Sequence, residues 1–185
     1  MIQQNYTELV KSELIKDAIP NRAFHGFFED YMTLHALIRI HKPKSFFEVG
    51  TNFGAGTKII KNAMVTGEVF SLDLPFGEGD APLYSNGKDY TGVNCNLPFT
   101  QLRGDSMTFD FSAYPCEGYF VDGCHDFEHP FKETTEILKL EPKLIVWHDL
   151  HCVTVQDAIQ KAFELNNDYE LYRVNGTRIA YALKR

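Results

Sequence analysis

The run Phe46-Phe47-Glu48-Val49-Gly50-Thr51-Asn52-Phe53-Gly54-Ala55-Gly56 constrains this chain more than any other segment. A short apolar strand over Ser45–Val49 leads into closely spaced glycines, and an amphipathic helix over Thr57–Met64 follows. A glycine turn at that junction offers backbone N–H groups and a helix N-terminus to the polar part of a ligand. Two nucleotide fingerprints fail on spacing. G-x-G-x-x-G from Gly50 needs glycine where the chain has Asn52, and Walker A needs G-K-[ST] where Gly56 is followed by Thr57-Lys58.

The pattern on either side extends this strand–turn–helix unit. Leu34, Leu37, Ile38 and His41 at helical spacing predict a helix over Glu29–His41, stopped by Pro43, and Thr7–Lys16 reads as an earlier helix closed near Pro20. Beyond Ser45, Glu68–Leu72 (ending on Asp73), Thr100–Arg103, Tyr119–Val121 and Leu144–Trp147 read as strands. Phe131–Leu140 and Val153–Leu165 read as helices, the second on the stripe Val155, Ala158, Ile159, Ala162 and Phe163. Tyr169–Val174, the turn Asn175-Gly176 and Arg178–Leu183 predict a closing hairpin.

Strand–helix alternation predicts an open α/β sandwich: a mostly parallel sheet with right-handed crossovers and helices on both faces. The hairpin adds an antiparallel strand at one edge. A length of 185 residues suits one domain, with N-terminal helices over 1–43 and an α/β core over 44–185. Leu74–Phe99 carries several glycines and prolines and little helical periodicity. It reads as a loop over the ligand site, with a surface insertion as the alternative.

Charge and composition narrow the partners. The formal net charge is −7 and no Lys/Arg run exceeds two residues, which weighs against a nucleic-acid partner. The first residues lack the basic and apolar regions of a secretion signal, and no apolar stretch reaches membrane-span length. Cys95, Cys116, Cys124 and Cys152 form no C-x-x-C pair. A cytoplasmic chain with reduced thiols and no membrane partner is expected.

Glu48, Gly50 and Gly54 spell E-x-G-x-x-x-G, which resembles motif I of the class I S-adenosylmethionine-dependent methyltransferases, a Rossmann-like family. The resemblance implies that Glu48, Gly50, Thr51, Asn52 and Gly54 form the turn against the methionine end of S-adenosylmethionine (SAM). It also implies that Asp73, at the end of the second strand, takes the ribose hydroxyls. Asp73 lies 23 residues after Gly50, close to the ~20 usual between a glycine turn and its ribose acid. Arg103-Gly104-Asp105-Ser106 is similar to the family's G-D-[AS] beside adenine, which makes Asp105 a contact to the adenine amino group. A helix-capping Asp or Ser accounts for the same residues without a ligand.

Reactive side chains concentrate at two strand ends: Asp122-Gly123-Cys124-His125-Asp126-Phe127-Glu128-His129 after the fourth strand, and His148-Asp149-Leu150-His151 after the fifth. Open α/β sheets bind their ligands at such carboxyl ends. The motifs D-G-x-H-x-[YF]-E and [VI]-x-H-D resemble the small-molecule O-methyltransferases related to the macrolide-sugar enzymes and the cephalosporin-hydroxylase-like group, over about residues 45–150. Two positions depart from that pattern: Glu141-Pro142-Lys143 replaces the usual glycine pair, and His148 stands where metal-dependent members often carry an acid.

The resemblance implies that Asp122 and Asp149, with His148 as third ligand, hold a divalent cation. Carboxylates prefer hard cations, so Mg²⁺ ranks above zinc. The resemblance also implies that Asp122 faces the cofactor and that His125 is the general base that removes the acceptor's proton. A zinc site drawn from Cys124, His125, His129, His148, His151 and Cys152 is an alternative, although no spacing matches a structural zinc motif.

The implied activity is O-methylation of a small-molecule acceptor. The N-terminal helices, the 74–99 segment or a neighbouring copy in a homo-oligomer would recognise that acceptor. Base amino-methylation is disfavoured, because Asp122-Gly123-Cys124-His125 stands where those enzymes carry [DNS]-P-P-[YFW]. The alternative is a catalytically inactive, cofactor-binding assembly subunit.

Overall fold

The computed structural model describes residues 1–11, 28–64, 66–79, 86–164, 166 and 168–185. Their strands are β1 (Ile2–Asn5), β2 (Ser45–Val49), β3 (Glu68–Asp73), β4 (Thr100–Arg103), β5 (Gly118–Val121), β6 (Leu144–Trp147), β7 (Tyr169–Asn175) and β8 (Ala180–Lys184). The helices are α1 (Tyr6–Leu9), α2 (Phe28–His41), α3 (Ala55–Ala63), α4 (Glu128–Lys139) and α5 (Val153–Phe163). Among the described residues the strands form one sheet in the order β1-β7-β8-β6-β5-β2-β3-β4. Only β8 runs against the others.

The period-2 alternation of side chains along the central strands sorts them into two cores. Phe46, Phe120, Leu144 and Val146 face one side and pack with Leu34, Leu37 and Ile38 of α2 and Ile59, Ile60 and Ala63 of α3. Phe47, Val49, Tyr119, Val121, Ile145 and Trp147 face the other, against Ile137 and Leu138 of α4 and Val155, Ile159 and Ala162 of α5. β5 and β6 are buried along their whole length, as expected of central parallel strands covered on both faces.

Two expectations are corrected, and one strand appears that no expectation covered. The antiparallel strand is interior: β8 inserts between β6 and β7 with Ala180 and Ala182 fully buried, so β7 and β1 lie outside it. β1 pairs in parallel with β7 from Ile2↔Tyr172 to Asn5↔Asn175, and its short, polar sequence carries no strand signal. The helix read over Thr7–Lys16 is α1, which ends at Leu9 where Val10 turns to extended backbone. The remainder of that expectation, 12–16 and Pro20, lies outside the described residues. No described helix is long and apolar enough to cross a membrane.

Candidate active site

The carboxyl ends of β2, β3, β4 and β5 surround one cleft of about 470 Å³. The β2–α3 turn forms its floor. Gly50 has φ +94°, and a Cβ there would lie 2.1 Å from the Asp122 carbonyl oxygen, so only glycine lets the β2 and β5 ends approach this closely. Gly50 and Thr51 donate backbone N–H groups to the Leu72 carbonyl at 2.9 and 3.3 Å, and Asp122 N–H bonds the Val49 carbonyl at 2.9 Å. The turn therefore stitches β3, β2 and β5 together at the point where a ligand would sit.

Asp73 ends β3 facing this turn. Its carboxylate accepts the Asn52 N–H at 2.7 Å and the Leu74 N–H at 2.8 Å, one on each oxygen. Each oxygen keeps capacity for a further donor, as a vicinal diol would supply. Asp105 also lines the cleft. Its carboxylate accepts the Met107 N–H at 2.9 Å, so the turn-capping interaction is present at the same place as the expected adenine contact.

The structure does not bring every motif residue to the cleft. Gly50, Asn52, Asp73, Asp105, Asp122 and His125 line it, whereas Glu48, Thr51, Gly54, His148 and Asp149 do not. Glu48 is 1% exposed, and its carboxyl accepts the hydroxyls of Thr57 and Ser71. Burial pushes its pKa up to about 8, and those two hydrogen bonds offset only part of the shift. Thr51 Oγ1 lies 2.7 Å from Ser71 Oγ and accepts the Gln101 side-chain amide at 2.8 Å. These side chains brace the turn from below. Gly54, φ +85°, abuts Gly92 of the long β3–β4 connection.

That connection packs onto the turn. Gly92 and Asn94 donate to the Asn52 and Phe53 carbonyls at 2.8 Å each, while Leu74, Glu78 and Gly79 line the cleft. Arg103 ties it further through Asp89, Thr91 and the Leu74 carbonyl. Residues 80–85 of this segment lie outside the described residues.

Beside the cleft residues Asp122 and His125, the β5 and β6 ends carry a charge network. His125 Nε2 lies 2.7 Å from Asp149 Oδ2, and this hydrogen bond, against opposing burial, raises the His125 pKa above its ordinary value. Asp149 has φ +53°, a left-handed conformation that Asp tolerates better than most residues. Burial opposes its charge, but hydrogen bonds from His125 and His148 hold its carboxyl well below the usual range.

His148 Nδ1 lies 3.1 Å from Asp122 Oδ1 and 3.0 Å from Asp149 Oδ2. Its Nε2 is 3.1 Å from Asp30 Oδ2, and Asp30 Oδ1 accepts the Arg178 N–H at 2.8 Å. Burial disfavours a charged His148, but the hydrogen bonds of the surrounding Asp122, Asp149 and Asp30 carboxylates outweigh it and push its pKa up to about 12. Burial also raises the Asp122 pKa, with His148 pulling the other way.

Asp30 went unmarked in the sequence reading, because α2 is buried almost all round and one acid in it breaks no pattern. Glu133 also went unmarked, although it falls on the buried stripe of α4 with Pro130, Thr134, Ile137 and Leu138. A carboxylate in such a stripe is a visible signal.

No protein-family model and no curated protein matches the chain. Solved structures do. A SAH-bound methyltransferase from Podospora anserina superposes with TM-score 0.64 at 10% identity, covering 94% of this chain and 85% of that one. An O-methyltransferase from Bacillus cereus in complex with SAH gives TM-score 0.61 at 16% identity, covering 88% and 84%. The chain has the fold of O-methyltransferases. A third structure with this methyltransferase fold, the SAM-bound O-methyltransferase of tomaymycin synthesis from Streptomyces achromogenes, covers 97% of this chain and 88% of its own, with TM-score 0.57 at 16% identity.

Proposed function

We propose that the chain is a SAM-dependent O-methyltransferase acting on a small hydroxylated acceptor. The observation that carries this reading is the meeting of the Gly50 turn, Asp73 and His125 around one cleft, with His125 held by Asp149. Methyl transfer is an in-line displacement: the acceptor oxygen bonds the methyl carbon as the carbon–sulfur bond breaks, releasing S-adenosylhomocysteine (SAH). The protein has to align the acceptor and take its proton. Asp149 accepts from His125 Nε2, which leaves Nδ1 as the nitrogen that receives the proton. His125 is half-exposed, so an acceptor can reach it.

The complete His125–Asp149–His148–Asp122 network favours transfer over cofactor binding alone. Release of SAH from SAM in the presence of phenolic or sugar hydroxyl acceptors tests this, and binding of SAH with no turnover on any hydroxyl would return the chain to the binding-only alternative. Asp73→Ala should weaken SAH binding by roughly 10- to 150-fold, the loss of charge-assisted hydrogen bonds to the ribose. Calorimetry measures this directly, and unchanged affinity would remove Asp73 from the cofactor site.

The same corner fits a divalent cation. Asp122, His148 and Asp149 each present a ligand atom, all within 4.8 Å of one another. The His148–carboxylate separations of 3.0 and 3.1 Å approximate the edge of an octahedral shell with bonds of ~2.1 Å. Asp30 on the far ring nitrogen orients the imidazole as carboxylates behind metal-bound histidines do. Asp122, Asp149 and His148 would hold the ion, which would lower the pKa of an acceptor hydroxyl. Mg²⁺ gains no support from this donor set, since an imidazole among the ligands favours Mn²⁺, Fe²⁺, Co²⁺ or Zn²⁺. Turnover should fall in EDTA and return with Mn²⁺ more fully than with Mg²⁺. Undiminished turnover in EDTA would leave protonated His148 as the positive charge at this point.

A further inference from the structure

Glu133, in the second turn of α4, is fully buried; the Ser106 hydroxyl approaches its carboxyl, but neither oxygen makes a well-formed hydrogen bond among the described residues. Burying an unpaired carboxyl is costly, and folded proteins rarely leave one without a use. Glu133 nevertheless lines the cleft. A Cβ on Gly123 would sit 3.6 Å from its Oε1, which places the carboxyl beside the backbone just beyond Asp122. Its neighbours at this end are Asp105, Ser106 and His129, and His129 Nε2 lies 3.8 Å from Asp105 Oδ1.

Resting on the cofactor reading above, the position identifies the partner. The Gly50 turn takes the methionine end and Asp73 the ribose, so the Asp105–Ser106–Glu133 end is left for the base. We propose that Glu133, as a neutral carboxylic acid, reads the 6-aminopurine edge of the cofactor. Its carbonyl oxygen accepts an N–H of the exocyclic amino group, and its O–H donates to the adjacent ring nitrogen. A carboxylic acid offers one donor and one acceptor side by side, which matches that edge.

The local charges agree. Burial pushes the Glu133 pKa up to about 7; Ser106 and His129 lower it, while Asp126 and Asp105 raise it. Cys124 is also nearby, its thiol pKa raised mainly by burial, with Asp126 and Glu133 adding to the shift.

The test is calorimetry with SAH and with the analogue whose base is unsubstituted purine, in which hydrogen replaces the amino group and the adjacent ring nitrogen remains an acceptor, so that one of the two bonds is lost however the carboxyl is turned. Wild type should prefer SAH, and Glu133→Ala should lose roughly tenfold in SAH affinity together with most of that preference. Glu133→Gln, an amide with donor and acceptor in the same places, should keep affinity near wild type. The neutral acid is the binding form, so wild-type SAH affinity should fall as pH rises through about 7, whereas Glu133→Gln should not show that fall. Glu133→Ala retaining both affinity and base preference would overturn the proposal. Failure of SAH to bind wild type at millimolar concentration would instead overturn the cofactor reading, and this inference with it.

Discussion

His125→Ala lowers methyl transfer by about 10²- to 10⁴-fold while SAH affinity stays near wild type. That range is what a positioned general base contributes. The two readouts separate because the half-exposed His125 imidazole is held by Asp149, while the groups assigned to the cofactor, Asp73 and the Gly50 turn, are held by other contacts. Single-turnover rates with preloaded SAM measure the first quantity and SAH titration the second. A His125→Ala variant that turns over at the wild-type rate would place the base elsewhere. A variant that loses SAH binding would make His125 part of the cofactor site instead.

Gly50→Ala has the largest expected effect on the molecule as a whole. At φ +94° a side chain is strained whatever the space, and here the added carbon would meet the Asp122 carbonyl at 2.1 Å. Left-handed backbone costs about 1–2 kcal/mol and overpacking typically adds about 1–3 kcal/mol. The sum corresponds to a thermal midpoint lower by roughly 5–20 °C for a domain of this size. The clash is relieved only by parting β2 from β5, which moves the Asp122 backbone and with it the network to His148. SAH binding should therefore be lost together with stability. A variant with an unchanged midpoint and intact SAH binding would show that the turn has room to rearrange.

Where sequence reading and structure agree, a local periodicity was responsible. β4 and β6 occupy the predicted residues, and α5 ends two residues before its predicted boundary. β1 was invisible because Ile2-Gln3-Gln4-Asn5 has no alternation, and its pairing with β7 depends on residues about 170 positions away. Glu141-Pro142-Lys143 departs from the glycine pair of the resembling enzymes, yet Glu141 adopts φ +55° and still makes the tight entry into β6.

Site legibility followed the same division. Gly50, Asp73, Asp105, Asp122 and His125 were readable because each stands at a strand end, where the topology of an open sheet gathers ligand groups from separate segments. The motif also contained residues with a different task. Glu48 and Thr51 alternate to the buried side of the turn and bond Thr57, Ser71 and Gln101, so sequence adjacency to Gly50 did not mean contact with the cleft.

The glycine run from Gly50 to Gly56 thus carried, as bare sequence, the strand–turn–helix unit, the exclusion of two nucleotide fingerprints and the position of the cleft. Those features are local, set by backbone freedom and side-chain period. The partnership of Asp30 with His148, the insertion of β8 inside the sheet and the burial of Glu133 against the cleft all depend on packing between distant segments. Asp30 and His148 are 118 residues apart in the chain and meet because α2 covers the same sheet face on which the β6 end presents its imidazole. Contacts of that range are decided by which faces are apolar enough to pack together, and no motif spacing records them.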